Sequence, residues 1–260
     1  MVELEHARKL LSSMGLETAA ALLDAQLERS LHVEHTYARF LDELLTSEQQ
    51  ERGRKGEEMR TKLARLPHRK GLEEFDFSFQ PSIDKRQIDE LATLTFAART
   101  ENIILLGPPG VGKTHLAVGL SMKALKAGLT VYYTSLARLM EDLKRALEQN
   151  RLERRWRVYL RPAILVIDEV GYMQLNRQEA ELFFRLVSER YEHGSIILTS
   201  NKYFSDWGEL LSDTVIATAL LDRLLHHAHV INIRGQTYRL KDRLKAGVQT
   251  VPPADIPAVE

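Results

Sequence analysis

No cysteine occurs in the 260 residues. Disulfides, thiolate metal sites and cysteine nucleophiles are thereby excluded. No proline precedes Pro67, so nothing need break a helix in the first quarter of the chain. No apolar run approaches the roughly 20 residues that cross a bilayer, and Met1–Gly15 is too polar for a signal peptide. A cytoplasmic protein with no membrane partner is expected. Net charge is also missing, because 36 basic residues balance 36 acidic ones. Attraction to a polyanion must then come from local clusters. What the chain has is apolar residues, 44% of the total, enough for a large α/β domain with an appendage.

Asn102–Thr114 reads NIILLGPPGVGKT. A short apolar run ends at a Gly/Pro cluster and then opens a helix, which predicts a buried strand, a tight loop and a helix N-terminus. The spacing is that of the phosphate-cradling loop G-x-x-x-x-G-K-[ST]. Backbone N–H groups at a helix head favour an anion. Gly107, Pro108, Pro109, Gly110, Val111, Gly112, Lys113, Thr114 and His115 therefore make the expected cradle for a nucleoside triphosphate. Lys113 is expected between the terminal phosphates and Thr114 on Mg²⁺.

Around this stretch the chain reads as helix, linker, then alternating strands and helices. Apolar residues recur at helical spacing through Glu3–Gln50, and Arg52–Lys70 continues as a basic helix ended by Pro67. Residues 1–66 are expected to form a small helical domain for a partner or for assembly. In Gly71–Ile83 the residues Phe75, Phe77 and Phe79 alternate with polar ones, predicting an extended linker over 67–84 whose buried face packs on the core. Asp84–Arg99 reads as a helix. Beyond it lie five short apolar strands: Asn102–Leu106, Leu129–Thr134, Ala163–Ile167, Ser195–Thr199 and Ala228–Ile233. Strands alternating with helices predict a parallel, doubly wound five-stranded sheet with helices on both faces, over 85–248. The proline-rich tail, 249–260, is expected to be disordered.

Three further sites suit phosphate chemistry. Ile164–Glu169 is an apolar strand ending in two acids, with Asp168 55 residues after Lys113. Asp168 suits Mg²⁺, and Glu169 suits a hydrogen bond that aims a water at the γ-phosphate. A hydrolase needs that water and a kinase does not. Asn201, after the strand SIILT, is placed to contact the γ-phosphate and the water. Arg223 in ALLDRLLHH lies just before the last strand, where it suits an arginine finger donated to a neighbouring subunit, with Asp222 as a pairing partner in the plainer reading. His226, His227 and His229 invite a metal, but no cysteine or acid triad adjoins them, and helix-end histidines account for them. Arg151, Arg154, Arg155 and Arg157, with Trp156 and Tyr159 between them, form a basic stretch expected as a DNA-contacting loop, with Arg52–Lys70 second in line.

GPPGVGKT, ILVIDE, TSN and LLDRLLHH, in this order, resemble the AAA+ ATPases of the initiator clade. FDFSFQPSID before the core and RGQTYRLKD after it narrow the resemblance to IstB-type transposition helper ATPases, relatives of the DnaC-type helicase loaders. The resemblance covers nearly the whole chain. It implies ATP-dependent homo-oligomeric assembly on double-stranded DNA, DNA deformation, and recruitment and stimulation of a partner transposase. It casts Lys113 and Thr114 as Walker A residues, Asp168 and Glu169 as Walker B, Asn201 as sensor 1 and Arg223 as the finger. The helical lid that usually carries a sensor-2 arginine is cut short, leaving Arg239 as its reduced counterpart. A replicative helicase loader is the alternative that the same motifs allow. A P-loop kinase and a non-hydrolysing DNA scaffold fit Glu169, Asn201 and Arg223 less well.

Overall fold

A computed structural model describes residues 2–33 and 36–238. The chain divides into two compact units, Met1–Arg60 and Thr61–Glu260.

The first unit holds α1 (Val2–Ser13), α2 (Glu17–Val33) and most of α3 (Tyr37–Ala64). Its core is small: Ala19, Leu23 and Leu44, with Leu4, Leu11, Leu27 and Phe40 packed around them. A buried carboxylate fixes the turn between α1 and α2. Glu48 Oε2 accepts from the backbone N–H of Thr18 and of Ala19 at 2.8 and 2.9 Å, while its Oε1 accepts from Arg52 Nε at 2.8 Å. Two free N–H groups at the head of α2 are satisfied in this way. The Ala19 N–H is the main reason that the Glu48 carboxyl titrates below its usual range. Arg52, Arg54 and Lys55, the start of the basic run, are paired with Glu48, Glu51 and Glu58 on their own helix. Four-residue spacing makes such pairs the ordinary fate of charges on a helix face.

The second unit is the doubly wound sheet. Its elements are α4 (Lys85–Leu91), α5 (Thr95–Ala98), β1 (Asn102–Leu106), α6 (Lys113–Lys126), β2 (Val131–Ser135), α7 (Leu136–Glu148), α8 (Leu152–Leu160), β3 (Ile164–Val170), α9 (Arg177–Arg190), β4 (Ser195–Ser200), α10 (Trp207–Leu210), α11 (Thr214–Leu225) and β5 (Ala228–Asn232). The strands run parallel in the order β2-β3-β4-β1-β5. Successive side chains of a strand leave on opposite faces, which gives the sheet two cores. Ile103, Leu105, Ile164, Val166 and Ile197 meet α4–α6, whereas Ile104, Leu106, Leu165, Ile167 and Leu198 meet α7–α11. Burial on both faces is why the central strands β1, β3 and β4 read as apolar runs.

Three local expectations are corrected. The helix expected over Asp84–Arg99 is two short helices, broken where Leu94 adopts a left-handed φ of 67°. The stretch with the alternating phenylalanines is not extended. It forms a short 3₁₀ turn, Leu72–Glu74, and then tight turns in which Phe79 N bonds Asp76 O at 3.2 Å and Gln80 N bonds Phe77 O at 3.2 Å. Asp76 also takes Ser78 Oγ and Phe79 N onto its side chain, the competing local acceptor that favours turns over strands. Third, the arginine-rich stretch is the helix α8 and not a loop.

Candidate nucleotide site

Strand β1 is wholly buried and delivers the chain to Gly107, whose N–H bonds Ser200 O at 3.1 Å at the end of neighbouring β4. From there the loop turns back through Gly110 (φ 81°) and Gly112 (φ 101°) into α6. Only glycine takes these backbone angles without strain. Lys113, the first residue of α6, is 7% exposed, and its ammonium donates to Gly107 O at 2.6 Å and Pro108 O at 2.8 Å. The cation is thus held inside the curve of its own loop. Thr114 follows, with Oγ1 donating to the Asp168 carboxylate at 3.0 and 3.1 Å.

Asp168, 2% exposed, collects three hydroxyls: those of Thr114, of Tyr133 on β2 and of Thr199 on β4. Burial, and then the charge of Asp168, push the Tyr133 phenol well above its usual range, so it stays a donor. Next to Asp168 the strand is irregular. Ile167 faces Leu198 and Val170 faces Ser200, so β3 carries one residue more than β4. That bulge holds Glu169 at a left-handed φ of 62° with its side chain exposed, while its N–H donates to Thr199 Oγ1 at 3.1 Å. Bulges re-aim side chains in this way. Asn201 leaves β4 at the same end of the sheet, against Gly171. Its Oδ1 is buried without a hydrogen-bond partner.

Two segments far apart in sequence close over the loop. A methyl on Gly112 would stand 2.6 Å from the Phe75 ring, and one on Gly119 would stand 2.6 Å from Leu72. His115 bonds Gly71 O at 2.8 Å and stacks edge-on against Phe75. From the other side Tyr238 N donates to Gly110 O at 2.8 Å, and a methyl on Gly107 would meet Ile233 O at 2.3 Å. Gln80 Nε2 joins the two segments through Gln236 O at 2.8 Å. Packing of the Phe75 segment on the core was expected, but Tyr133, Thr199 and the closure of the segment after β5 over the loop escaped the sequence reading. Hydroxyls near the ends of β2 and β4, the strands flanking β3, were the available signal.

The remaining candidates lie elsewhere. Arg223 is in the last turn of α11, next to Leu224, whose carbonyl accepts from Asn102 at the start of β1. That is the opposite end of the sheet from the phosphate loop. Its guanidinium lies 4.5 Å from the Phe184 ring centre, and no ion pair with Asp222 occurs among the described residues. On α8, Arg151, Arg154 and Arg157 are exposed, but Arg155 is paired with Asp142 and stacked on Tyr159. Trp156 and Tyr159 are buried in the core, because helical spacing turns them to the inner face of α8. Those two aromatics are unavailable for base stacking. Arg239 lies outside the described residues.

The donor set suits the expected ligands. Glycines bring backbone close to where phosphates would lie, and a hydroxyl beside a buried carboxylate is an all-oxygen pair of the kind Mg²⁺ takes. Comparison with known proteins then decides the family: the model of the IstB-like ATP binding proteins matches residues 9–246. The chain belongs to that family. A Pseudomonas aeruginosa relative named for insertion sequence IS21 and for ATP binding is 52% identical over 241 residues, covering 93% of this chain and 91% of the relative. A Geobacillus stearothermophilus relative, named for insertion sequence IS5376 and ATP binding, is 46% identical over 208 residues, with 80% and 83% covered. Among solved structures, the crystal structure of DnaI is similar at a TM-score of 0.55 and 19% identity, over 67% of this chain and 94% of that one. The fold is that of the AAA+ ATP-binding proteins. No helix among the described residues is long and apolar enough to cross a membrane.

Proposed function

We propose that the chain is a Mg²⁺-dependent ATPase that assembles with copies of itself on duplex DNA and there recruits and stimulates a transposase. The observation that carries the hydrolytic part is the linked set Thr114–Asp168–Thr199–Glu169, in which one buried carboxylate and one threonine fix both the cation-binding end and the bulge that exposes Glu169. Thr114 and Asp168 would hold Mg²⁺, which supplies positive charge to the terminal phosphates. Lys113 adds a second positive charge there. Glu169 accepts a hydrogen bond from the attacking water and aims it at the γ-phosphorus, and the amide of Asn201, whose Oδ1 is without a partner, contacts the same water or the γ-phosphate.

Arg223 cannot serve the loop of its own chain from the far end of the sheet, so we assign it to the site of a neighbouring copy. The names of the relatives, which refer to insertion sequences, support the transposition setting. The helical residues 1–66 are assigned to partner binding. Leu10, Met14, Leu41 and Leu45 are each about half exposed or more there, and apolar side chains open to a partner support that reading.

Two substitutions test the chemistry. Lys113→Ala should abolish ATP binding, whereas Glu169→Gln should bind ATP normally and turn it over roughly 100-fold or more slowly. Mixing Glu169→Gln with Arg223→Ala chains should restore partial activity, because some mixed interfaces carry both intact residues. Equal loss of fluorescent-ATP affinity in the Lys113 and Glu169 variants would overturn the separation of roles. A mixture no more active than its components would overturn the shared site.

A further inference from the structure

At the end of the sheet away from the phosphate loop, the turn after α9 and the turn after α11 bring together three side chains that sequence keeps apart. Glu192 lies 34 residues before His226, yet one ligand atom each from Glu192, His226 and His227 fall within 4.8 Å of one another. All three are exposed. The acid that the sequence did not place beside the histidines is therefore supplied by the fold. We propose that Glu192, His226 and His227 form a binding site for a divalent transition-metal ion of the zinc type.

The donor set selects the metal class. Imidazole suits zinc and its neighbours, whereas Mg²⁺ and Ca²⁺ prefer oxygen alone. Zinc bonds nitrogen and carboxylate oxygen at about 2.0–2.2 Å. Ligand atoms in a tetrahedral site are then about 3.4 Å apart, a closure from 4.8 Å that rotation of exposed side chains supplies. Three protein ligands leave the fourth position to water.

A second interaction orders the site. Tyr191 OH and His226 Nδ1 are hydrogen-bonded at 2.7 Å. With Nδ1–H donating to the phenol oxygen, Nε2 is left as the lone-pair nitrogen, the arrangement that ligating histidines ordinarily have. The His226 and His227 rings have centroids 4.1 Å apart, which keeps the two imidazoles side by side. His229 takes no part, being paired with Glu101 at 2.8 Å. His226 is one helical turn beyond Arg223, so a bound ion would tie the helix that carries Arg223 to the turn after α9.

The test uses the full chain without an affinity tag, stripped with chelator and free of nucleotide. Titration with Zn²⁺ by calorimetry, and with Co²⁺ by visible absorption, should show one equivalent bound. Glu192→Gln and His227→Ala should each weaken it at least tenfold, Tyr191→Phe by roughly tenfold, and His229→Gln should leave it unchanged. Zn²⁺ should raise the melting temperature of the wild type but not of the Glu192→Gln, His227→Ala double variant. Because Glu192 and His227 are exposed and Tyr191 and His229 are only half-buried, circular dichroism should show every variant folded. Binding no tighter than about 1 mM, or binding unaltered in the double variant, would overturn the site.

Discussion

The edge of the Phe75 ring lies so close to Gly112 that a methyl there would sit 2.6 Å from Cε2. A residue from the segment before the sheet thus forms the outer wall of the phosphate loop, and the glycine is required twice, for its φ of 101° and for the ring beside it. Gly112→Ala should destabilise the second unit by roughly 1–3 kcal/mol and weaken ATP binding. Phe75→Leu should relieve part of the clash. In a double-mutant cycle by urea unfolding the two changes should couple by about 0.5–3 kcal/mol. Additive effects would show that the ring is not the wall.

Thr199 links the two acids of β3, donating to Asp168 and accepting from the Glu169 N–H at 3.1 Å. Thr199→Val keeps the shape and removes both bonds, leaving the Glu169 N–H and the buried Asp168 carboxylate each one partner short. A stability loss of about 1–3 kcal/mol is expected. Turnover should fall by a larger factor than ATP affinity, since the bulge aims Glu169 while the loop itself is untouched. Steady-state kinetics alongside nucleotide titration separates the two.

Glu48 gives the first unit a pH dependence of known sign. Its carboxyl titrates below the usual 4.5 because the folded state donates the Ala19 and Thr18 N–H groups and Arg52 to it. Its contribution is therefore complete above pH 4.5 and disappears as pH falls through the lowered value. Melting temperatures of wild type and Glu48→Gln should differ most near neutrality and converge in acid. A gap that stays constant down to about pH 3 would show that the carboxylate is not the cause.

The arginines of α8 are expected to separate by their partners. Replacing Arg151, Arg154 and Arg157 by Ala should weaken binding to all duplexes alike and reduce the slope of log K against log salt by about 0.9 for each phosphate no longer neutralised. Arg155→Ala should act differently. It takes the cation from Asp142, leaving that carboxylate the Tyr159 hydroxyl, and removes the guanidinium stacked on Tyr159, so its main effect should be on thermal stability. Filter binding over a salt series distinguishes them, and an unchanged slope in the triple variant would move the DNA surface off this helix.

What the sequence determined by itself is local and short in range. Asn102–Thr114 specifies strand, loop and helix head because apolar run, glycines and lysine are contiguous, and their backbone requirements do not depend on distant partners. The three central strands β1, β3 and β4 were legible for a related reason: a strand buried on both faces is largely apolar along its length. Tertiary structure decided everything that depends on pairing. Register between β3 and β4 placed the bulge under Glu169 and brought Thr199 to Asp168. Crossover of the chain put Tyr133 on that carboxylate from β2 and left Arg223 at the opposite end of the sheet. Alternation of Phe75, Phe77 and Phe79 suggested an extended linker, but the Asp76 side chain captured nearby donors and made turns instead. The same limit hid the ion pairing of Arg155 and the approach of Glu192 to His226 and His227. Spacing along a chain reports which residues share a face, whereas which faces meet is set by packing the two cores against one sheet.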